Sequence, residues 1–222
     1  MSSGLVEISR EVIRISNKTI KSPYPVEDHL VDAEKVYVIA QTLCTDQYDN
    51  PDLQFPSKDR NIVAFDRQGN QKWMIETVPG ADEEGHHQNF FFFGQCYFTR
   101  HTDGNVRFDP DTGEVLEILP KDKLQIGDER IEFSGEVYRV YQFEDGIFVS
   151  CRESTHDLYA FETNGTERWR SEAGERRGLL SIEDGKLWEQ QAVGRTTDHR
   201  YQLDPETGER LSKEEIDTGL WG

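Results

Sequence analysis

Apolar residues recur along this chain in short runs, with almost no helical spacing. Val36–Leu43, Asn61–Phe65, Asn89–Phe93, Cys96–Thr99, Val137–Phe143, Ile147–Cys151, Leu158–Phe161, Lys186–Gln190 and Arg200–Leu203 all read as strands, being rich in β-branched and aromatic residues. Gln68-Gly69, Asp103-Gly104, Asp145-Gly146, Asn164-Gly165 and Asp184-Gly185 separate them. Asn-Gly and Asp-Gly suit tight hairpins, because their residues tolerate positive φ. The one helix-like stretch, Ser212–Asp217, is too short to shape the fold. The pattern predicts an all-β chain forming a single domain over residues 1–222.

Four segments repeat a common plan: Ile62–Trp73, Val106–Leu116, Leu158–Trp169 and Tyr201–Leu211. Each runs strand, acid, turn, glycine, strand and bulky apolar residue. The acids are Asp66, Asp109, Glu162 and Asp204, and the glycines are Gly69, Gly113, Gly165 and Gly208. Successive glycines lie 44, 52 and 43 residues apart, the length of one four-stranded propeller blade. The first and third segments carry Trp73 and Trp169 four residues after the glycine. The second and fourth carry Asp-Pro-acid-Thr-Gly and a Leu three residues after it. Turn length and turn chemistry alternate together, which implies a duplicated two-blade unit, roughly 30–120 and 128–215. The repeat hairpins fall near 60–77, 104–118, 157–171 and 199–212.

Ala64-Phe-Asp66-Arg-Gln-Gly69-Asn-Gln-Lys-Trp73 resembles the tryptophan-docking repeat of quinoprotein-type (PQQ-like) β-propellers. Ala160-Phe-Glu162-Thr-Asn-Gly165-Thr-Glu-Arg-Trp169 follows it with Glu for Asp, while the Asp109 and Asp204 segments keep the acid and Thr-Gly without the Trp. The resemblance covers most of residues 60–212 and implies a small β-propeller of four-stranded antiparallel blades. Four hairpins argue for four blades, closed by an N-terminal strand from Leu5–Ile20 that protects the last edge. A degenerate fifth blade from the same segment is the alternative. Larger enzymes of that family hold a quinone with a ring-stacking Trp, adjacent cysteines and calcium. This chain has no adjacent cysteines, so Trp73 and Trp169 read as blade packing and no cofactor is expected.

Composition changes the picture of habitat. Asp and Glu number 43 against 25 Lys and Arg, a net charge of −18, and only 9 of the cations are Lys. The acids are spread along the chain, with Asp82-Glu83-Glu84 the nearest thing to a cluster. Binding to nucleic acid or an anionic membrane draws on Lys and Arg, so neither is an expected partner. The acid-rich, Lys-poor composition resembles cytoplasmic proteins of extreme halophiles, whose acidic surface holds inorganic cations and water. An acidic face for a basic partner is the other reading. The N-terminus lacks a signal-peptide pattern, and Cys44, Cys96 and Cys151 suit reduced thiols. A cytoplasmic location is expected.

Candidate chemistry is sparse. The Asp109-Pro and Asp204-Pro loops read as turns, since a calcium loop of the helix–loop–helix type needs about a dozen residues and a terminal bidentate Glu. Glu83-Glu84-Gly85-His86-His87-Gln88 offers metal-type ligands, and His86 and His87 are the metal candidates. Adjacent strand residues point to opposite faces, so a site needs His101, His156 or His199 brought in by the fold. Phe90–Phe93 reads as a core strand, with an exposed recognition patch as the alternative. No catalytic residues are assigned. Three functions remain: a non-catalytic propeller binding an unknown protein partner or acting as a scaffold, with the Thr45–Lys58 and Pro120–Ile131 insertions decorating its rims; a small-molecule or carbohydrate binder using an exposed Trp188 or Trp221; and a metal-dependent hydrolase using a channel His site.

A salt-adapted coat of carboxylates repels itself once its screening is removed. The fold is expected to loosen between molar and millimolar KCl, read by far- and near-UV circular dichroism. A cooperative, unchanged fold in dilute buffer contradicts the salt-adapted reading.

Overall fold

Among the described residues, the strands form six antiparallel sheets. The computed structural model describes residues 5–10, 12–41, 53, 55, 58–80, 85–93, 96–154, 157–173, 177–192 and 197–217. Two compact units divide it, 1–90 with 97–120, and 91–96 with 121–222.

In the first unit, β1 (Val6–Ile8), β2 (Val12–Ile15) and β3 (Lys18–Lys21) form a three-stranded sheet. β4 (Val26–Val31), β5 (Lys35–Ala40), β6 (Ile62–Asp66) and β7 (Gln71–Met74) form a four-stranded meander, and β8 (His87–Phe93), β9 (Cys96–His101), β10 (Gly104–Phe108) and β11 (Val115–Leu119) form another. The second unit begins with the hairpin β12 (Lys123–Ile126) and β13 (Glu129–Glu132). It continues with the meander β14 (Glu136–Phe143), β15 (Gly146–Arg152), β16 (Leu158–Glu162) and β17 (Glu167–Arg170), and then β18 (Leu179–Glu183), β19 (Lys186–Ala192), β20 (Thr197–Leu203) and β21 (Arg210–Asp217). Each meander has the connectivity of a propeller blade. Each unit reads small sheet, blade, blade.

Strand position explains the apolar pattern. β4 and β8 alternate in burial, whereas β5, β6, β15 and β16 are buried almost throughout. These four are second and third strands of their blades, and both of their faces carry buried apolar residues. Phe91 and Phe93 are buried and Phe90 and Phe92 half-buried, so the expected core strand forms there.

The hairpins carry the repeat. Asp66 accepts backbone N–H bonds from Gln68 and Asn70. Asp109 does the same for Asp111 and Thr112, and Asp204 for Glu206 and Thr207. Glu162, one methylene longer, instead binds Arg168 through both carboxylate oxygens at 2.7 and 2.8 Å.

Each tryptophan docks on the next hairpin in its unit. The Trp73 indole N–H donates to Pro110 O at 3.0 Å, and Trp169 to Pro205 O at 2.9 Å. A Cβ added at Gly113 would lie 2.6 Å from the Trp73 ring, and one at Gly208 2.8 Å from the Trp169 ring. Both glycines have positive φ, 77° and 73°. A further ion pair links the same sheets in each unit: Lys35 with Asp111 at 2.5 Å, and Arg168 with Glu206 at 2.9 Å. Leu116 and Leu211, the apolar residues of the shorter repeats, are exposed.

The hairpins bearing Gly69 and Gly165 receive no tryptophan on their glycines. A Cβ at Gly69 would meet Lys18 and Ile15, and one at Gly165 would meet Glu129 and the Ile126 carbonyl. The small sheets therefore present their β2–β3 and β12–β13 turns at these two sites. Ser16 donates to Arg67 O at 2.9 Å, and Lys18 binds Asn70.

Three sequence expectations need correction. The N-terminal segment does not join the last blade: β1 pairs with β2, and Ile13, Ile15 and Ile20 enter a core cluster with Val36, Val38, Val63 and Phe65. Burial of the three isoleucines in that cluster stabilises the separate sheet. The expected loop over Pro120–Ile131 holds β12 and β13, with Leu124 and Ile126 buried. The helix-like Ser212–Asp217 is the end of β21, paired from Arg210 to Asp217 against β20; Arg200 faces Glu214 and His199 faces Glu215 across the strands, a favourable pairing of opposite charges. The Thr45–Lys58 insertion lies mostly outside the described residues.

Gly80 shares the positive φ of Gly113, 76°, but a Cβ there meets nothing within 4 Å. Gly80→Ala is expected to cost about 1 kcal/mol from backbone strain. Gly113→Ala and Gly208→Ala add a clash with the docked ring and are expected to cost about 3 kcal/mol. Urea unfolding in molar KCl checks the difference; equal costs at Gly80 and Gly113 refute tryptophan docking as the stabilising contact.

Candidate functional site

The first unit buries an unusual set of polar side chains, among them Asn61, His87, Thr99 and His101. Asn61 cross-links three strands: its amide donates to Ala40 O and His87 O at 2.8 Å each, and its carbonyl accepts the His87 N–H at 3.1 Å. Sheet pairing brings His101 against His87, with ring centroids 4.8 Å apart. His101 Nδ1 accepts the Asp103 N–H at 3.1 Å. His86 lies off this pair, its Nε2 3.2 Å from the Gln88 amide nitrogen. His199 sits in the other unit beside Glu215 and Tyr201, and Glu83, Glu84 and His156 lie outside the described residues. Among the described residues, no three His, Cys, Asp or Glu side chains gather around a common point.

Asp32 organises the aromatic core of this unit. One carboxylate oxygen accepts N–H bonds from Lys35 and Glu34, and the other accepts the Tyr37 and Tyr97 hydroxyls at 2.9 Å each. Burial pushes the Asp32 pKa up, but these four donors outweigh it and hold the carboxyl below its ordinary value. Burial and the Asp32 carboxylate push Tyr97 up to about 12, and Tyr37 upward as well.

Among the described residues, the second unit holds two clefts. Both adjoin Arg177, which is nearly buried and pairs with the fully buried Glu189 at 3.0 Å. Arg210 grips Glu189 at 2.7 and 3.0 Å, and the Gly178 N–H donates to it at 2.7 Å. Arg177 also donates to Gly208 O at 3.1 Å. One cleft, about 640 Å³, is walled by Trp169, Arg177, Thr207 and Arg210. The other, about 570 Å³, opens between β14–β17 and β18–β21 and is lined by Tyr138, Ser150, Arg152, Glu153, Leu179 and Asp198, among others. We take this second cleft as the candidate site, because its walls mix carboxylates, an aromatic ring and an exposed leucine. Leu179 is 51% exposed.

The Arg152 guanidinium lies 3.5 Å from the centroid of the Tyr138 ring. The Asp198 carboxylate accepts the Gln190 amide at 2.7 Å, and the Asp157 carboxylate accepts the Arg177 N–H at 3.0 Å. Burial, then the Asp157 charge, pushes the Cys151 thiol up to about 12, so little nucleophilic thiolate exists near neutral pH. Cys44 lies outside the described residues. Trp188 is not the exposed platform that carbohydrate binding requires: it is 5% exposed, covered by the Arg200 guanidinium 4.0 Å from its ring. Trp221 lies outside the described residues.

Sequence reasoning missed Glu189 and Ser150. Glu189 is one acid among 43, and its strand, Lys186–Ala192, carries no motif around it. Its only sequence signal is position: it follows Leu187-Trp188 and precedes two glutamines.

A model of a domain of unknown function, DUF7957, matches residues 4–120 and, again, residues 118–215. One model matching twice is what internal duplication produces, and each match takes in a small sheet and two blades. No curated protein matches the chain by sequence. Among solved structures, BamB from Moraxella catarrhalis has a TM-score of 0.53 at 10% identity, over 96% of this chain and 70% of that one. Kluyveromyces lactis Hsv2 has a TM-score of 0.51 at 8% identity, over 97% of this chain and 62% of that one, so the chain spans less than two thirds of Hsv2. These likenesses concern the fold alone, which is of the all-β, propeller class.

Removing the charge of Glu189 leaves Arg177 with an uncompensated buried cation. Glu189→Gln is expected to cost about 3 kcal/mol, measured by urea unfolding in molar KCl. A loss under about 0.5 kcal/mol, typical of an exposed pair, contradicts the buried-network assignment.

Proposed function

The chain belongs to the DUF7957 family, and from that premise we propose that it is a non-catalytic β-propeller that binds a protein partner, a scaffold module of a high-salt cytoplasm. One observation carries the reading: Glu189, Arg177 and Cys151 at the candidate cleft are engaged in structure. Glu189 is held by two arginines, Arg177 by Glu189 and a backbone carbonyl, and Cys151 by burial. A thiol pushed up to about 12 supplies little nucleophile near neutral pH. The acidic composition supports the high-salt setting, where short screening lengths let a −18 chain approach another protein.

Exposed apolar side chains supply contact area. Leu179 stands at the cleft, while Leu116 and Leu211 occupy matching places in the repeated hairpins. Exposed apolar residues beside a cleft suit a protein interface with an apolar centre and polar rim.

A photo-crosslinking residue placed at Leu179, in cells grown at their native salt, is expected to trap one discrete protein, with Leu5 on the other unit as control. The trapped protein, purified, is expected to bind the unmodified chain with a saturable isotherm in molar KCl. Equal trapping at Leu5, or no saturable binding by the purified partner, sinks the proposal.

A further inference from the structure

We propose that the cleft of the second unit takes a basic side chain, the guanidinium or ammonium group of an Arg or Lys on the partner protein. The inference rests on the protein-binding reading and adds the chemistry recognised. Among the described residues, three carboxylates line the cleft, Glu153, Asp157 and Asp198, against two guanidinium groups, those of Arg152 and Arg177. Arg177 and Arg210 share the one carboxylate of Glu189, at 3.0 and 2.7 Å, so with Glu189 and Arg210 included four carboxylates stand against three guanidinium groups. The Arg152 cation stacks on Tyr138. Asp157 and Asp198 receive neutral N–H groups, from the Arg177 backbone and the Gln190 amide. The balance at the cleft therefore favours a cation.

A second observation is independent of charge. Ser150 lines the cleft, is 3% exposed, and its hydroxyl makes no hydrogen bond among the described residues. Buried hydroxyls are almost always hydrogen-bonded, and this one supplies lone pairs at the wall of a cleft that carboxylates also line. An incoming N–H satisfies it. The volume, about 570 Å³, falls in the range of ordinary ligand pockets and holds one extended side chain with accompanying water. Tyr138 shows that its ring accepts a guanidinium, since Arg152 already lies over it.

Titration of the ¹⁵N-labelled full chain with N-acetyl-arginine methylamide tests the proposal, with the citrulline counterpart as an uncharged control of equal shape. Saturable shifts are expected at residues 150–153, 190–191 and 198, with affinity at least about tenfold weaker for citrulline. Ser150→Val and Asp198→Asn are each expected to weaken arginine binding about tenfold, while Glu114→Gln on the first unit leaves it unchanged. If Ser150→Val fails to fold, judged by its spectrum, the exposed Glu153→Gln serves in its place. Equal affinity for citrulline, shifts scattered over the surface without saturation, or insensitivity to all the cleft variants overturns the proposal. Should it fail while the Leu179 crosslink persists, the partner docks by other chemistry. Should arginine bind and no partner be trapped, the protein-binding reading falls and this cleft assignment stands.

Discussion

The contact on which each unit depends is an indole laid flat against a glycine. Trp73 on Gly113 and Trp169 on Gly208 bring a large apolar ring to within van der Waals distance of a backbone, with the indole N–H satisfied by the carbonyl of the neighbouring Asp-Pro turn. A ring of this size buries about 150–250 Å², and only a residue without Cβ lets it approach so closely. The turn must also keep its shape, which the Asp109 and Asp204 carboxylates ensure by accepting two backbone N–H bonds each. Acid, turn, glycine and tryptophan are thus parts of one device, and the spacing that recurs in the chain is the spacing that device requires.

The device is used at alternate hairpins, and the rest of the architecture follows. Gly69 and Gly165 belong to the hairpins that send out a tryptophan, and the turns of the small sheets lie against them instead. The repeated unit is therefore a small sheet followed by two blades, and the doubled family match has the same extent. The second unit adds a buried ion network around Glu189, and the first a carboxylate-centred tyrosine pair at Asp32. Desolvation makes such groups costly unless every partner is in place. Both networks are well supplied with donors.

Much of the fold was legible in the sequence because hairpins are local. The four repeated segments, their turns and their alternation of Trp and Leu all lie within about a dozen residues each, and strand periodicity reports burial directly. The small sheets were not legible. Residues 123–132 read as a polar insertion because β13, Glu129–Glu132, has only Ile131 as an apolar member. Ser212–Asp217 read as weakly helical because it is almost wholly charged, and it is a strand only because β20 supplies partners as far as Thr197. Of the candidate site, the sequence offered little: Ser150 and Glu189 acquire meaning from burial and partners, and neither has a local signature.

Taken alone, the sequence determined the all-β class, the hairpin repeat, its duplication and the acidity of the surface, since each is a property of composition or of near neighbours. Tertiary structure decided the remainder. It set His101 against His87, laid Arg200 over the Trp188 expected to be exposed, and closed Arg177 and Arg210 on Glu189. It also left the Ser150 hydroxyl without a hydrogen bond among the described residues, in the wall of a cleft that carboxylates line. The side-chain pairings join residues on different strands or flanking turns of one sheet, and which of them meet is fixed by strand pairing and register. No periodicity along the chain records that register, because periodicity reports which face is buried and not what lies against it.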